Sequence, residues 1–174
     1  MKRTVKVIIW FAIIVAVLYV GSFLAVILWP QKDIPQREVN SSSMAVKVLV
    51  ASRSSAFKEA VVQKILDAVK EDSVYIKVIG MKQLHAEDGA RYAAVVLINT
   101  CMAGRMDHFV TSFLKKNRNK TPPIILITAG DGKWLPRNKG NTFDALSSAS
   151  NLDKSGEVAK TIVDKIRLHT GGKK

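Results

Sequence analysis

The chain has 174 residues, 48% of them hydrophobic, and carries 27 Lys and Arg against 14 Asp and Glu, a net charge of +13. That length holds one domain of ordinary size. Its rich, periodic apolar segments exclude intrinsic disorder, and a single cysteine, Cys101, excludes a disulfide-built mini-domain. A run of 23 uncharged residues near the start is incompatible with a wholly soluble protein.

That run, residues 7–29, reads VIIWFAIIVAVLYVGSFLAVILW. As a helix it would be roughly 34 Å long, enough for a hydrocarbon core of about 30 Å. A cleaved signal peptide would need an apolar stretch of about 7–15 residues and a small-residue cleavage site. This run is longer and ends in Trp29-Pro30-Gln31-Lys32, so an uncleaved anchor in contact with membrane lipid is expected. Trp10 and Trp29 stand near its two ends, where indole rings suit the headgroup region. Lys2, Arg3 and Lys6 crowd the short flank of residues 1–6, and Lys32 and Arg37 follow more sparsely. The positive-inside rule then places the N-terminus in the cytoplasm and the remainder outside it.

Residues 30–44 contain Pro30, Pro35 and Ser41-Ser42-Ser43 with little periodicity, and read as an extended linker. From there on the chain alternates. Ala45 to Ala51 is rich in β-branched residues and reads as a strand, and Phe57 to Lys70 sets Phe57, Val61, Val62, Ile65, Leu66 and Val69 at helical spacing. Val74 to Ile79 is a second strand, and the stretch after it is short or irregular. Ala93 to Ile98 is almost wholly apolar, as a strand buried on both faces should be. A helix over Met106 to Lys116, a strand over Ile124 to Ile127 and a closing helix over Gly156 to Leu168 complete the pattern, with a faint further strand around Thr142 to Leu146. This order predicts an α/β domain over residues 45–170, with a parallel sheet of four or five strands between two helical layers. Ligands of such sheets sit beyond the carboxyl ends of the strands, which singles out residues 51–57, 99–105 and 128–141.

Two segments of this domain, VKVLVASRSSAFKEAVVQKIL and YAAVVLINTCMAGRMDHFVTSFLKKN, resemble the first and third strand–loop–helix units of flavodoxins. The resemblance is nearest to the short membrane-associated type that includes menaquinone-dependent protoporphyrinogen dehydrogenase. It implies a three-layer flavodoxin-like fold, FMN as cofactor, and electron transfer with a membrane redox or complex partner. The family's phosphate loop runs hydroxyl, any, hydroxyl, Gly, small, Thr. Here Ser52 and Ser54 match, Ser55 stands for the Gly and Phe57 for the Thr. The competing reading of Ser54 or Ser55 is a helix N-cap. The second loop, Asn99 to Arg105, would run beside the flavin ring and adds Thr100. It offers Met102 where many members place a stacking aromatic, and Cys101 reads either as a redox thiol or as a small half-buried side chain. The third loop resembles the family's Gly-Asp loop, with Gly130 and Asp131 holding the flavin edge and Trp134 as a ring platform or a cover for the sheet.

Asp144-Ala145-Leu146-Ser147-Ser148-Ala149-Ser150 resembles the box recognised by the extracytoplasmic flavin transferase, which would make Ser150 a covalent FMN acceptor; an ordinary loop leading into a helix is the alternative. His85, His108 and His169 show no metal-ligand spacing. The part after the anchor holds 24 basic and all 14 acidic residues, about +10 net, which suits anionic headgroups or an acidic partner. Membrane tethering and the lack of a basic-aromatic motif argue against nucleic acid. Two functional expectations follow: an FMN-dependent electron-transfer module, or a flavin-free flavodoxin-like accessory subunit of a membrane complex.

Overall fold

A computed structural model describes residues 2–28, 31–102, 104–118, 123–128, 131–136 and 143–171. The chain divides into two compact units, Met1–Gln31 and Lys32–Lys174. The first is one helix, α1 (Lys2–Leu28), whose Val5–Ala25 stretch is long and apolar enough to cross a membrane. None of the side chains in that stretch is buried by protein. Trp29 and Pro30 lie outside the described residues.

The second unit carries β1 (Arg37–Val39), β2 (Lys47–Ser52), α2 (Ala56–Val69), β3 (Tyr75–Gly80), β4 (Ala94–Thr100), α3 (His108–Lys116), β5 (Ile124–Thr128), β6 (Asp144–Ser148) and α4 (Ser155–Thr170). Its sheet has the order β1-β3-β2-β4-β5-β6, in which β1 alone is antiparallel to its neighbour. The parallel part, β3-β2-β4-β5-β6, is the doubly wound flavodoxin order, and its direction of travel reverses between β2 and β4.

Burial explains the strands. Ala94 to Asn99 of β4 and all of β5 are buried because helices cover both faces of the central sheet. On one face α2 and α4 close over Val48, Val50, Val96, Ile98 and Leu126, presenting Val61, Ile65, Ile162 and Ile166. On the other, α3 and two 3₁₀ turns, Met81–Ala86 and Gly89–Arg91, cover Leu49, Leu97, Ile125 and Ile127. Ser55 caps α2 and Asp107 caps α3 by accepting from the backbone amides of Lys58 and Phe109. Phe57 is 2% exposed and belongs to the core beneath α2, away from the loop before it.

Two expectations change. The sheet has six strands, where four or five were expected: Asp144–Ser148 is a full edge strand, and Arg37–Val39 adds another. The stretch read as a linker is instead stitched to the domain. Arg37 to Val39 pair with Val78 to Ile76, Ile34 is buried, and Asn40, in the left-handed conformation (φ 66°), donates to the carbonyls of Lys70 and Val74. Hydrogen-bonding backbone and one buried isoleucine outweigh the polar composition that suggested a free spacer.

Candidate site at the carboxyl end of the sheet

Four strands of the parallel sheet end in a hydroxyl residue: Ser52, Thr100, Thr128 and Ser148. Each is satisfied within the protein. Ser52 Oγ donates to the Arg53 carbonyl (2.8 Å), Thr128 Oγ1 to that of Asn99 (3.1 Å) and Ser148 Oγ to that of Ala149 (2.9 Å). Thr100 Oγ1 accepts from Lys58 Nζ.

Between β2 and α2, Ser52, Ser54, Ser55 and Thr100 do come together, at the point where strand order reverses. What surrounds them was not foreseen. The Asp33 segment runs antiparallel along the loop: Ser54 N–H donates to the Lys32 carbonyl (2.8 Å) and Ile34 N–H to that of Ser52 (3.3 Å). Ser54 Oγ donates to the Glu59 carboxylate, and Ser55 Oγ is spent on the Lys58 amide. Arg53, with its side chain 10% exposed, is clamped between Asp33 (2.8 Å) and Asp107 (2.9 Å) and lies 5.6 Å from the centroid of the Phe109 ring. Lys58 reaches inward from the first turn of α2 and is 4% exposed. Its amine is pushed down from the ordinary 10.5 to about 8, chiefly by burial and then by Arg53, with Asp107 pulling the other way.

The fit of an FMN phosphate can be read from these bonds. A flavodoxin-type loop offers its amides and hydroxyls to the anion at a helix N-terminus. Here the Ser54 amide and the Ser52 and Ser54 hydroxyls already serve other acceptors, the Lys58 amide is taken by the Ser55 hydroxyl, and the Glu59 carboxylate occupies the first turn of the helix. A phosphate there would meet a like charge and would have to displace the chain's own Asp33 segment. The loop as built does not fit the group.

The other predicted residues form a second cluster. Asp131 Oδ1 accepts from the Lys133 amide, and Gly132 (φ 67°) brings that loop so close to the end of β6 that an added Cβ would lie 2.5 Å from the Ala149 nitrogen. Trp134 is half-buried against the apolar layer beneath α3, as are Cys101 and Phe109. Met102 and Arg105 exchange backbone hydrogen bonds around Gly104 (φ 70°), closing a tight turn. Ser150 is exposed just beyond β6, while Asp144 pairs with Lys165 of α4. Ala103, Ala129 and Gly130 lie outside the described residues. Among those that are described, no cluster of His, Cys, Asp or Glu is placed to hold a metal.

Sequence reasoning missed Asp33, Lys58, Glu59 and Asp107. Asp107 was within reach, since an Asp directly before an amphipathic run is a capping signal. The other three gave none.

The strand order and register define a flavodoxin-like α/β domain. No family model matches the chain, and no curated protein matches it. Among solved structures it is similar to a flavodoxin from the domain Archaea, at 10% identity and a TM-score of 0.45, covering 70% of this chain and 98% of that one. A flavodoxin from Pseudomonas aeruginosa is similar at 12% identity and 0.47, covering 73% and 100%. An oxidoreductase from Corynebacterium diphtheriae gives 14% and 0.48, covering 74% and 97%.

Proposed function

We propose that this chain is a membrane-anchored, flavodoxin-like module that works without a flavin in its phosphate loop, as an accessory or interaction subunit of a membrane assembly. In this reading α1 spans the bilayer, with Lys2, Arg3 and Lys6 on the cytoplasmic side and the domain outside. The observation that carries it is the commitment of the Ser54 amide and the Ser52 and Ser54 hydroxyls to acceptors of the chain itself, and of the Lys58 amide to the Ser55 hydroxyl. Such a loop has been turned from an anion cradle into a seat for the Asp33 segment. The fold hosts unrelated functions, so the loop rather than the topology decides.

A second reading is favoured by one independent feature. FMN joined through a phosphoester to Ser150 would need no phosphate loop, and Ser150 is exposed at the end of the Asp144–Ser150 box. That group would supply one- or two-electron chemistry. Purification from the native membrane in detergent, followed by a visible spectrum before and after acid precipitation, separates the readings. No flavin band is expected. A band that stays with the precipitate and disappears in Ser150→Ala would replace the first reading with the second, and a band released to the supernatant would overturn both.

A further inference from the structure

The two helical faces of the sheet differ in charge. On the α2/α4 side, residues 56–72 and 152–170 hold seven Lys and Arg and seven Asp and Glu, several of them paired, as in Lys160–Asp164 and Arg167–Asp72. On the α3 side, residues 81–91 and 104–118 hold six cations, Lys82, Arg91, Arg105, Lys115, Lys116 and Arg118, all exposed. The three acids there are all half-buried and engaged. Glu87 accepts from Lys77 and Tyr92, Asp107 from Arg53, and Asp88 from the Ala90 amide. Glu87 stays charged: burial works against this, and the bonds from Lys77 and Tyr92 overcome it, holding its carboxyl below the ordinary value. Among the described residues, the α3 side therefore presents exposed cations without exposed acids, which the α2/α4 side does not.

That face also has a gap. The link between β3 and β4 is only two 3₁₀ turns, too short to cover the amino ends of the strands it crosses. The result is a groove of about 470 Å³ with Tyr75 and Tyr92 as its floor and Lys47, Lys77 and Arg91 around it. Glu87 neutralises Lys77. Lys47 and Arg91 make no ion pair with another described residue. Arg91 belongs to both the groove and the basic face.

We propose that the α3 side is a docking surface for an anionic lipid bilayer, and that the groove beside Arg91 and Lys47 takes a headgroup phosphate. Charge complementarity points to a surface rather than a small ion, because the cations extend from the groove at Arg91 to Lys115, Lys116 and Arg118 at the end of α3, where the Gly89 amide bonds Asn117. Arginine suits a phosphate by its fork of donors, and the tyrosine rings suit the glycerol region beside it. A bilayer is the anionic surface a tethered domain meets at high effective concentration, so the proposal rests on the anchored reading of α1.

The full chain in nanodiscs tests this by hydrogen exchange, comparing phosphatidylcholine alone with discs that also contain phosphatidylglycerol. Retention in neutral discs after a high-salt wash reads the anchor; a dependence of protection on lipid charge reads the docking, and the two can fail separately. Anionic lipid should protect residues 81–91 and 108–118, leave α2 and α4 unchanged, and lose its effect at high salt. The double variant Lys115→Ala, Arg118→Ala should weaken docking about twenty-five-fold, from roughly one factor of five per cation near the surface. Arg91→Ala should weaken it further, and unchanged protection of β4 and β5 verifies that each variant is folded. Equal protection in both lipids overturns the proposal. So does protection that appears on the α2/α4 side, or that appears only when an acidic protein is added.

Discussion

Asp107 does two jobs that substitution can separate. Its Oδ2 accepts from Arg53 Nε and Nη2 at 3.1 and 2.9 Å, and its Oδ1 caps α3 through the Phe109 amide at 2.9 Å. Asp107→Asn keeps a capping oxygen but turns an uncharged amide toward the guanidinium. Removing one partner of a buried pair typically costs about 3–5 kcal/mol, because the other charge is left uncompensated. Here Asp33 still faces Arg53, and the side chains of Asp107 and Asp33 are 13% and 21% exposed. A loss of about 2 kcal/mol is therefore expected. Asp107→Ala also deletes the cap and should cost about 1 kcal/mol more. Urea unfolding of the 32–174 segment, a compact unit with its own core, measures both. Because Asp33 and Asp107 share one cation, Asp33→Ala combined with Asp107→Asn should cost at least about 0.5 kcal/mol more than the two singles together. Additive losses, or an Asn variant as stable as the parent, would refute the clamp.

Lys58 makes a prediction about pH. Its amine titrates near 8 in the folded chain against 10.5 when exposed, so between those values the unfolded state binds more protons. Stability should rise as pH increases from 8 to 10.5, and fall back as pH drops through 8. Lys58→Met should abolish that rise and stabilise the neutral protein by at most about 3 kcal/mol; unfolding curves across this range check it. Gly80 touches the Asp33 segment closely, since a Cβ there would lie 2.5 Å from Asp33 Cβ. Gly80→Ala should lift the segment and speed hydrogen exchange at the Ser54 amide at least ten-fold, with β4 and β5 unaffected.

What the residues disclosed follows their burial. AVVLI and IILI are continuous apolar runs because their strands are covered on both faces, and α2 and α4 show their inward stripes at helical spacing. The edges were less legible. Arg37–Val39 is three residues long and partly charged, and Asp144–Ser148 is small and polar, since an edge strand needs little apolar surface. At the site, periodicity located the loop and its hydroxyls but not their bonds. Asp33 lies in a proline-flanked stretch with no pattern, and nothing in the sequence says that it returns to Arg53 across 20 residues. A lysine on a helix is expected to reach outward, so the inward turn of Lys58 toward Thr100 was equally hidden. Trp134 illustrates the same limit: the sequence allowed a ring platform or a cover for the sheet, and packing against the layer beneath α3 favours the cover.

The most direct test of the account is an FMN titration of the purified full chain in detergent, followed by flavin fluorescence. A phosphate loop already filled by its own acceptors predicts no saturable quenching, in the parent chain and in Ser54→Ala alike. Saturable, stoichiometric quenching that Ser54→Ala abolishes would show that the loop takes a phosphate after all, and would contradict the flavin-free reading at its centre.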